Sequence, residues 1–499
     1  MNQLNSHPNT FAPSHSWLRL LNISFVPGEA DTFFDQTVPR LLDKFRSFGH
    51  TITETPQSNT DLILTTARFG EPLNWRKALL FTARSRFHLE RTPLLYTLLH
   101  ARPQQLHDLL HHFENALSKF PPDPQDFSFP GLTDQAYLTL YEQGKRGGPM
   151  LSLLRLVQSQ AKCIRIILFI GDDEPEEAYT FDLVGAHPRT SAQNPDYFYE
   201  DLMLRMVTSA STHEITAHQV VMDEVPAQTW KNLSTPAAMR RAGIELGRRN
   251  FFTEMVRIAN LVNVPAVADS VASQYSEGCF ATWDATLNAL IATITGSARP
   301  VDKDNLTDNE LAVIVGVRPD GQGALVRHVQ GKRNDPPSSE AVEMILMDRD
   351  LPRIQIKGDD GTTVEVPVAR SKLHGHRGLR AFDPQRVEFV RLDEPFYSYP
   401  VSCSTEAQAQ AIYSAFSRAA SLQNPDDPRQ VAFTILPGHG IVIVEKWIAD
   451  KAPFQIIWEL MDSGALEMQN AIPQGDFTFI AAPDGRLHLH QHINLPLST

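Results

Sequence analysis

Through its first two hundred residues the chain alternates short apolar runs with longer amphipathic stretches. Residues 18–26 read as a strand, and the apolar spacing over 37–48 predicts a helix. Residues 61–66 (Asp-Leu-Ile-Leu-Thr-Thr) and 77–82 (Lys-Ala-Leu-Leu-Phe-Thr) are apolar and bounded by polar residues, the pattern of buried parallel strands. A helical period over 104–120 stops at Pro121-Pro122. Residues 164–170 (Ile-Arg-Ile-Ile-Leu-Phe-Ile) form the strongest strand signal and run into Gly171-Asp172-Asp173-Glu174-Pro175, a turn composition. Strands alternating with helices predict layered α/β structure.

The pattern changes near Ser234-Thr235-Pro236. Thr235 is placed to cap a helix opened by Pro236 and carried by 237–246, with a second helix over 251–262. Strands then follow at 289–295, 312–317, 324–329 and 387–392. After them come a helix at 405–420, one long strand at 432–444 with His439 at its middle, and a closing helix at 449–470. The organisation expected is an N-terminal α/β domain over residues 1–233 and a second domain over 234–499.

Composition narrows the class. A chain of 499 residues exceeds one ordinary core. With 42% hydrophobic and 21% charged residues it reads as globular rather than disordered. The net charge of −13 speaks against nucleic acid or an anionic membrane as partner, since both reward basic patches. A small anionic substrate stays open, because local basic groups can oppose the global field. Three scattered cysteines (Cys163, Cys279, Cys403) give no disulfide framework and suit a reducing compartment. The first residues carry neither a basic nor an apolar leader pattern, and no apolar run approaches the roughly 20 residues of a membrane span, so a soluble cytoplasmic protein is expected.

The candidate chemistry lies late in the chain. In His374-Gly375-His376 the imidazoles are two residues apart, which on an extended segment puts them on one face. His439, in Pro437-Gly438-His439-Gly440, supplies a third imidazole from a distant segment, and three histidines leave an open position on a metal ion. Glu340, in Pro337-Ser338-Ser339-Glu340, supplies a carboxylate to move a proton. Other histidine groups read as bland: His107, His111 and His112 as a solvated helix face, and His488, His490 and His492 as a half-exposed strand. No Walker-type or strand-linked Gly-x-Gly-x-x-Gly pattern supports a nucleotide cofactor.

Taken in order, Pro-Ser-Ser-Glu, His-x-His and His-Gly before an apolar run make residues 236–470 resemble the class II aldolase/adducin family. The resemblance implies a three-layer α/β/α domain around a mainly antiparallel sheet, and metal-dependent cleavage or formation of a carbon–carbon bond through an enediolate. It implies His374, His376 and His439 as ligands of a divalent ion, zinc first, with manganese, iron or cobalt as alternatives. Glu340 is implied as the proton-transfer group and Tyr399 as a proton donor to the aldehyde oxygen. Thr295, Gly296, Ser297, Ser338 and Ser339 are implied as a cradle for a phosphate or carboxylate of a sugar-like substrate. A homo-oligomer, commonly a tetramer, is implied as well. Epimerase, dehydratase and decarboxylase activities share such a scaffold, and an adducin-like module would keep it without chemistry. Three departures stand out. The asparagine of the family's Gly-Asn-x-Ser loop is absent from Ser276-Glu277-Gly278-Cys279-Phe280, and the phosphate loop lacks its Pro-Ser-Gly ending. The interval from Glu340 to His374 is longer than usual in the family, with Lys357-Gly358-Asp359-Asp360-Gly361-Thr362-Thr363 reading as an inserted hairpin.

Overall fold

The computed structural model describes residues 19–28, 31–57, 59–68, 93–102, 164–181, 186–190, 195–211, 218–253, 277–294, 303, 305–321, 323–357, 361–393, 405–436, 439–469, 477–481 and 487–491. The fold is mixed α/β. Among the described residues, strands before residue 191 form one seven-stranded sheet, and those after residue 218 form a nine-stranded sheet and three two-stranded ones.

The first sheet contains β1 (Asn22–Val26), β2 (Thr51–Thr53), β3 (Leu62–Arg68), β4 (Leu94–Ala101), β5 (Ile164–Ile170), β6 (Glu177–Phe181) and β7 (Ala186–Thr190), in the order β2-β1-β3-β4-β5-β6-β7. β2, β1, β3, β4 and β5 are parallel, and β6 and β7 are antiparallel additions. The helix Thr32–Ser47 buries Phe33, Phe34, Val38, Leu41, Leu42 and Phe45, one apolar stripe at helical spacing, in a core shared with β1, β3, β4, β5 and the helix Pro195–Ser211. Asp31 caps it by accepting from Phe33 N at 3.2 Å. The expected strand at 77–82 and helix at 104–120 lie outside the described residues.

The second sheet holds β8 (Gln219–Val220), β9 (Cys279–Asp284), β10 (Ala289–Thr293), β11 (Leu311–Val317), β12 (Ala324–Arg327), β15 (Ala369–Gly375), β17 (Val387–Phe389), β18 (Val431–Leu436) and β19 (Gly440–Lys446). Their order is β17-β18-β19-β15-β9-β10-β11-β12-β8, antiparallel except where β17 joins β18 and β12 joins β8. A small hairpin, β13 (Arg353–Lys357) with β14 (Thr363–Pro367), stands where the insertion was read. β16 (Gly378–Ala381) pairs with β20 (Leu466–Gln469), and β21 (Phe477–Ala481) with β22 (Leu487–Gln491), the segment of His488 and His490. Apolar layers cover both faces of the nine-stranded sheet. Cys279, Ala281, Val442 and Val444 join the helices Ala341–Leu346 and Glu406–Phe416 on one face. Phe280, Leu373, Ile441 and Ile443 join the helices Thr235–Arg248 and Gln455–Asp462 on the other. Every residue of β9 and of β19 is buried, as befits interior strands covered on both sides.

Three readings of the sequence are corrected. The apolar run 432–444 is not one strand: β18 and β19 form an antiparallel hairpin, and His439 stands at its turn rather than mid-strand. The closing segment 449–470 is a shorter helix, Gln455–Asp462, followed by β20. Phe454 takes the left-handed conformation before that helix, and Gly464, at φ +74°, ends it. Ser234, not Thr235, is the cap residue of the helix Thr235–Arg248, with no side-chain bond.

Candidate metal centre

Strand alternation decides where the first imidazole points. Leu373 belongs to the apolar layer of Phe280 and Ile443, so its neighbour His374 projects to the opposite face, between Cys279 on β9 and Val442 on β19. His376 follows one residue past the end of β15, and the two rings lie 5.3 Å apart. The β18–β19 turn delivers His439, whose ring is 4.8 Å from that of His374 and 5.2 Å from that of His376. Close backbone approach makes this possible. A Cβ at Gly440 would fall 2.1 Å from Gly375 O, so no other residue lets the turn lie against β15.

Glu340 arrives from below. Its loop is stapled to the end of β10 by a Ser338 N–H donated to Thr293 O at 3.0 Å and an Ile294–Pro337 bridge. Glu340 precedes the helix Ala341–Leu346 without capping it, which leaves its carboxylate for the imidazoles. Oε1 lies 3.4 Å from His374 Nε2 and 3.3 Å from His439 Nε2, and Oε2 accepts from Cys279 Sγ at 3.6 Å. One ligand atom from each of Glu340, His374, His376 and His439 lies within 4.8 Å of every other, and all four residues are buried.

Outer partners fix the tautomers. His374 Nδ1 donates to Ile441 O at 3.0 Å, so its Nε2 carries the lone pair. His439 Nδ1 donates to Gln408 Oε1 at 3.0 Å, and the Gln408 amide donates to Glu343 Oε2 at 2.7 Å. A carboxylate only accepts, so Glu343 turns the Gln408 nitrogen toward itself and its oxygen toward His439. His376 Nδ1 faces a third kind of partner, the buried carboxylate of Glu277, at 3.8 Å. Burial pulls His374 from 6.5 down to about 4, with Glu340 opposing and His439 adding to the shift, so the ring is neutral at neutral pH. Burial works against the charge on Glu340 as well, yet His374, His439 and His376 hold its carboxyl well below the usual range.

These atoms suit a divalent ion. His374 Nε2 is buried and makes no hydrogen bond. It converges with His439 Nε2 on Glu340 Oε1, at 3.4 and 3.3 Å, a cluster of lone pairs that a divalent cation would satisfy. Donors about 2.1 Å from a shared ion in tetrahedral array stand about 3.4 Å apart, close to the 3.4 and 3.3 Å from Glu340 Oε1 to His374 Nε2 and His439 Nε2, a spacing that counts Glu340 as a fourth donor of the metal-ready site.

Ser338 and Ser339 lie in the loop that carries Glu340, and Ser338 Oγ accepts from Glu340 N at 3.4 Å. Thr295, Gly296, Ser297 and Tyr399 lie outside the described residues. The sequence reading missed Gln408, Glu343, Glu277 and Lys303. Gln408 carried a signal that points elsewhere: Thr405-x-x-Gln408 has capping-box spacing, and Thr405 Oγ1 does accept from Gln408 N at 3.2 Å. The glutamine side chain goes to His439 and Glu343 instead.

Two outcomes follow. Gln408→Leu leaves His439 free to change tautomer and rotate, and is expected to weaken metal binding about 10–100-fold in calorimetric titration. Between pH 6.5 and about 4 the unfolded chain takes up a proton at His374 that the folded metal-free chain refuses. The unfolded state then binds more protons, so stability falls as pH drops through that window. Urea midpoints of the metal-free protein at pH 7 and pH 5 check the sign.

Comparison with protein-family models, with curated proteins and with solved structures returned no match to the chain. Among the described residues, no helix is long and apolar enough to cross a membrane.

Proposed function

We propose that the chain is a metal-dependent lyase of the class II aldolase type, cleaving or forming a carbon–carbon bond beside a carbonyl in a sugar-like, anionic substrate. The observation that carries this reading is the buried convergence of Glu340 Oε1 with the Nε2 atoms of His374 and His439. The order of Pro337-Ser338-Ser339-Glu340, His374-Gly375-His376 and His439 supports it, as does a mainly antiparallel sheet with apolar layers on both faces. Neutral nitrogen donors favour zinc, with manganese, iron or cobalt as alternatives. A divalent ion held by His374, His376 and His439 would supply a Lewis acid for the substrate carbonyl.

The protein's own groups do the rest. Glu340 takes the proton from the carbon next to the carbonyl in the forming direction, and the electron pair left behind passes into the enediolate. In the cleaving direction the same carboxyl returns the proton to carbon. Burial beside the three imidazole rings excludes water, and Ile441 O and Gln408 hold two rings in a fixed tautomer. Ser338 and Ser339, next to Glu340 in sequence, are placed for an oxygen of the substrate.

The test is a zinc-loaded sample screened against sugar phosphates and hydroxy-keto acids, with NMR detection of cleavage and of solvent deuterium entering next to the carbonyl. Exchange or cleavage that requires the metal supports the reading. A zinc-loaded protein inert toward both classes removes it.

A further inference from the structure

The strand face that presents His374 also buries a lysine that the chemistry above leaves unused. Lys372 stands two residues earlier on β15, opposite Ala281 of β9 and Val444 of β19, so it enters the same layer as His374. It is fully buried, and its Nζ donates to Asp348 Oδ2 at 2.5 Å. Asp348 is buried as well and closes the segment that Glu340 opens: its N–H donates to Ile345 O at 3.2 Å. One face of β15 therefore grips both ends of residues 340–348, Glu340 through His374 and Asp348 through Lys372. Between the two grips the helix Ala341–Leu346 has six residues, all buried, and it rests on β11 and on the helix Glu406–Phe416. A helix of that length does not hold itself. Apolar contact is non-directional, so it keeps the helix on the sheet without setting its rotation or its slide. A buried ion pair acts in the reverse sense. Desolvation removes most of what it could add to stability, while its geometry admits one arrangement.

We propose that Lys372 and Asp348 are positioning residues: together they fix the slide of the helix Ala341–Leu346 along β15 and so hold the Glu340 carboxylate at donor distance from His374 and His439. The inference rests on the metal-centre reading. A site of this kind tolerates displacement of its donors by only about 0.5 Å. Glu340 Oε1 stands 3.4 and 3.3 Å from the two Nε2 atoms, so a small slide of the helix takes it out of range. Freed of the pair, the helix would keep its apolar layer and lose that register. Replacing the pair by apolar side chains then leaves stability intact and weakens metal binding, a separation that a packing role would not produce.

The experiment uses the full chain, with thermal melts of the metal-free protein and calorimetric titration of zinc. Lys372→Met/Asp348→Leu replaces the pair with apolar side chains of similar bulk. It is expected to melt at or above the parent. Its zinc affinity is expected to fall about tenfold, as when an outer partner of a metal site is lost. Cobalt in place of zinc reports donor geometry directly, and its visible spectrum is expected to differ between variant and parent. Parental zinc affinity and a parental cobalt spectrum overturn the proposal while the metal centre stands. A melt and an affinity that fall together assign the pair to packing and overturn it as well. A parent protein that takes up no zinc overturns the metal centre and the proposal with it. If the apolar pair does not fold, Asp348→Ala decides through the cobalt spectrum alone, and a parental spectrum there overturns the proposal.

Discussion

His374→Ala is expected to cost more than about 100-fold in zinc affinity, beyond what loss of an outer partner such as Gln408 removes. His374 touches every other part of the centre: Glu340 through Nε2, Ile441 through Nδ1, and the rings of His376 and His439. The ring comes from the interior strand β15, fixed on both sides by β9 and β19. The fold should survive, because leaving Ile441 O without this donor costs about 1–3 kcal/mol, a fraction of the roughly 5–15 kcal/mol that holds a domain folded. Elemental analysis of parent and variant, each checked for a cooperative melt, reads the result. A variant that melts like the parent and still carries a full equivalent of zinc removes His374 from the ligand set.

The second large effect belongs to Glu340→Gln. The amide has the shape of the carboxyl and none of its basicity, so the three imidazoles can still hold zinc while proton transfer at carbon slows by about 10²–10⁴. Deuterium entry beside the carbonyl of a responsive substrate, followed at matched zinc occupancy, measures it. Full exchange with zinc bound would falsify the role given to Glu340.

Much of this centre was legible in the chain because its four donors announce themselves by type and order. His374 and His376 follow from the two-residue strand period, although β15 carries only His374 and His376 stands one residue past its end. The strand Ile164–Ile170 was equally plain, since a run of branched apolar residues between polar flanks has few other places to go. The hairpin at His439 was misread because apolar residues continue on both sides of Pro437-Gly438, and that run outweighed two residues whose chemistry favours a turn. The segment 449–470 failed for a related reason. Its apolar period persists past Ser463-Gly464, although the glycine at positive φ stops the helix and the remaining residues pair with β16. Gln408, Glu277 and Lys303 were out of reach on other grounds. A glutamine, a glutamate and a lysine are ordinary surface residues in a sequence, and only the helix carrying Gln408, the left-handed Gly278 and the contact at Gly243 bring them inside.

The register of β9, β15 and β19 has a consequence for how the protein opens. His374 lies opposite both Cys279 and Val442, and a slip of one residue would turn it to the Phe280 and Ile443 face. A bound ion therefore acts as a clasp across neighbouring strands, drawing its donors from segments that only the paired sheet unites. Amides in the middle of β15 and β19 then exchange with solvent only after the clasp is released, and the ion's affinity adds directly to their protection. Chelation would loosen the heart of the sheet, not merely its rim.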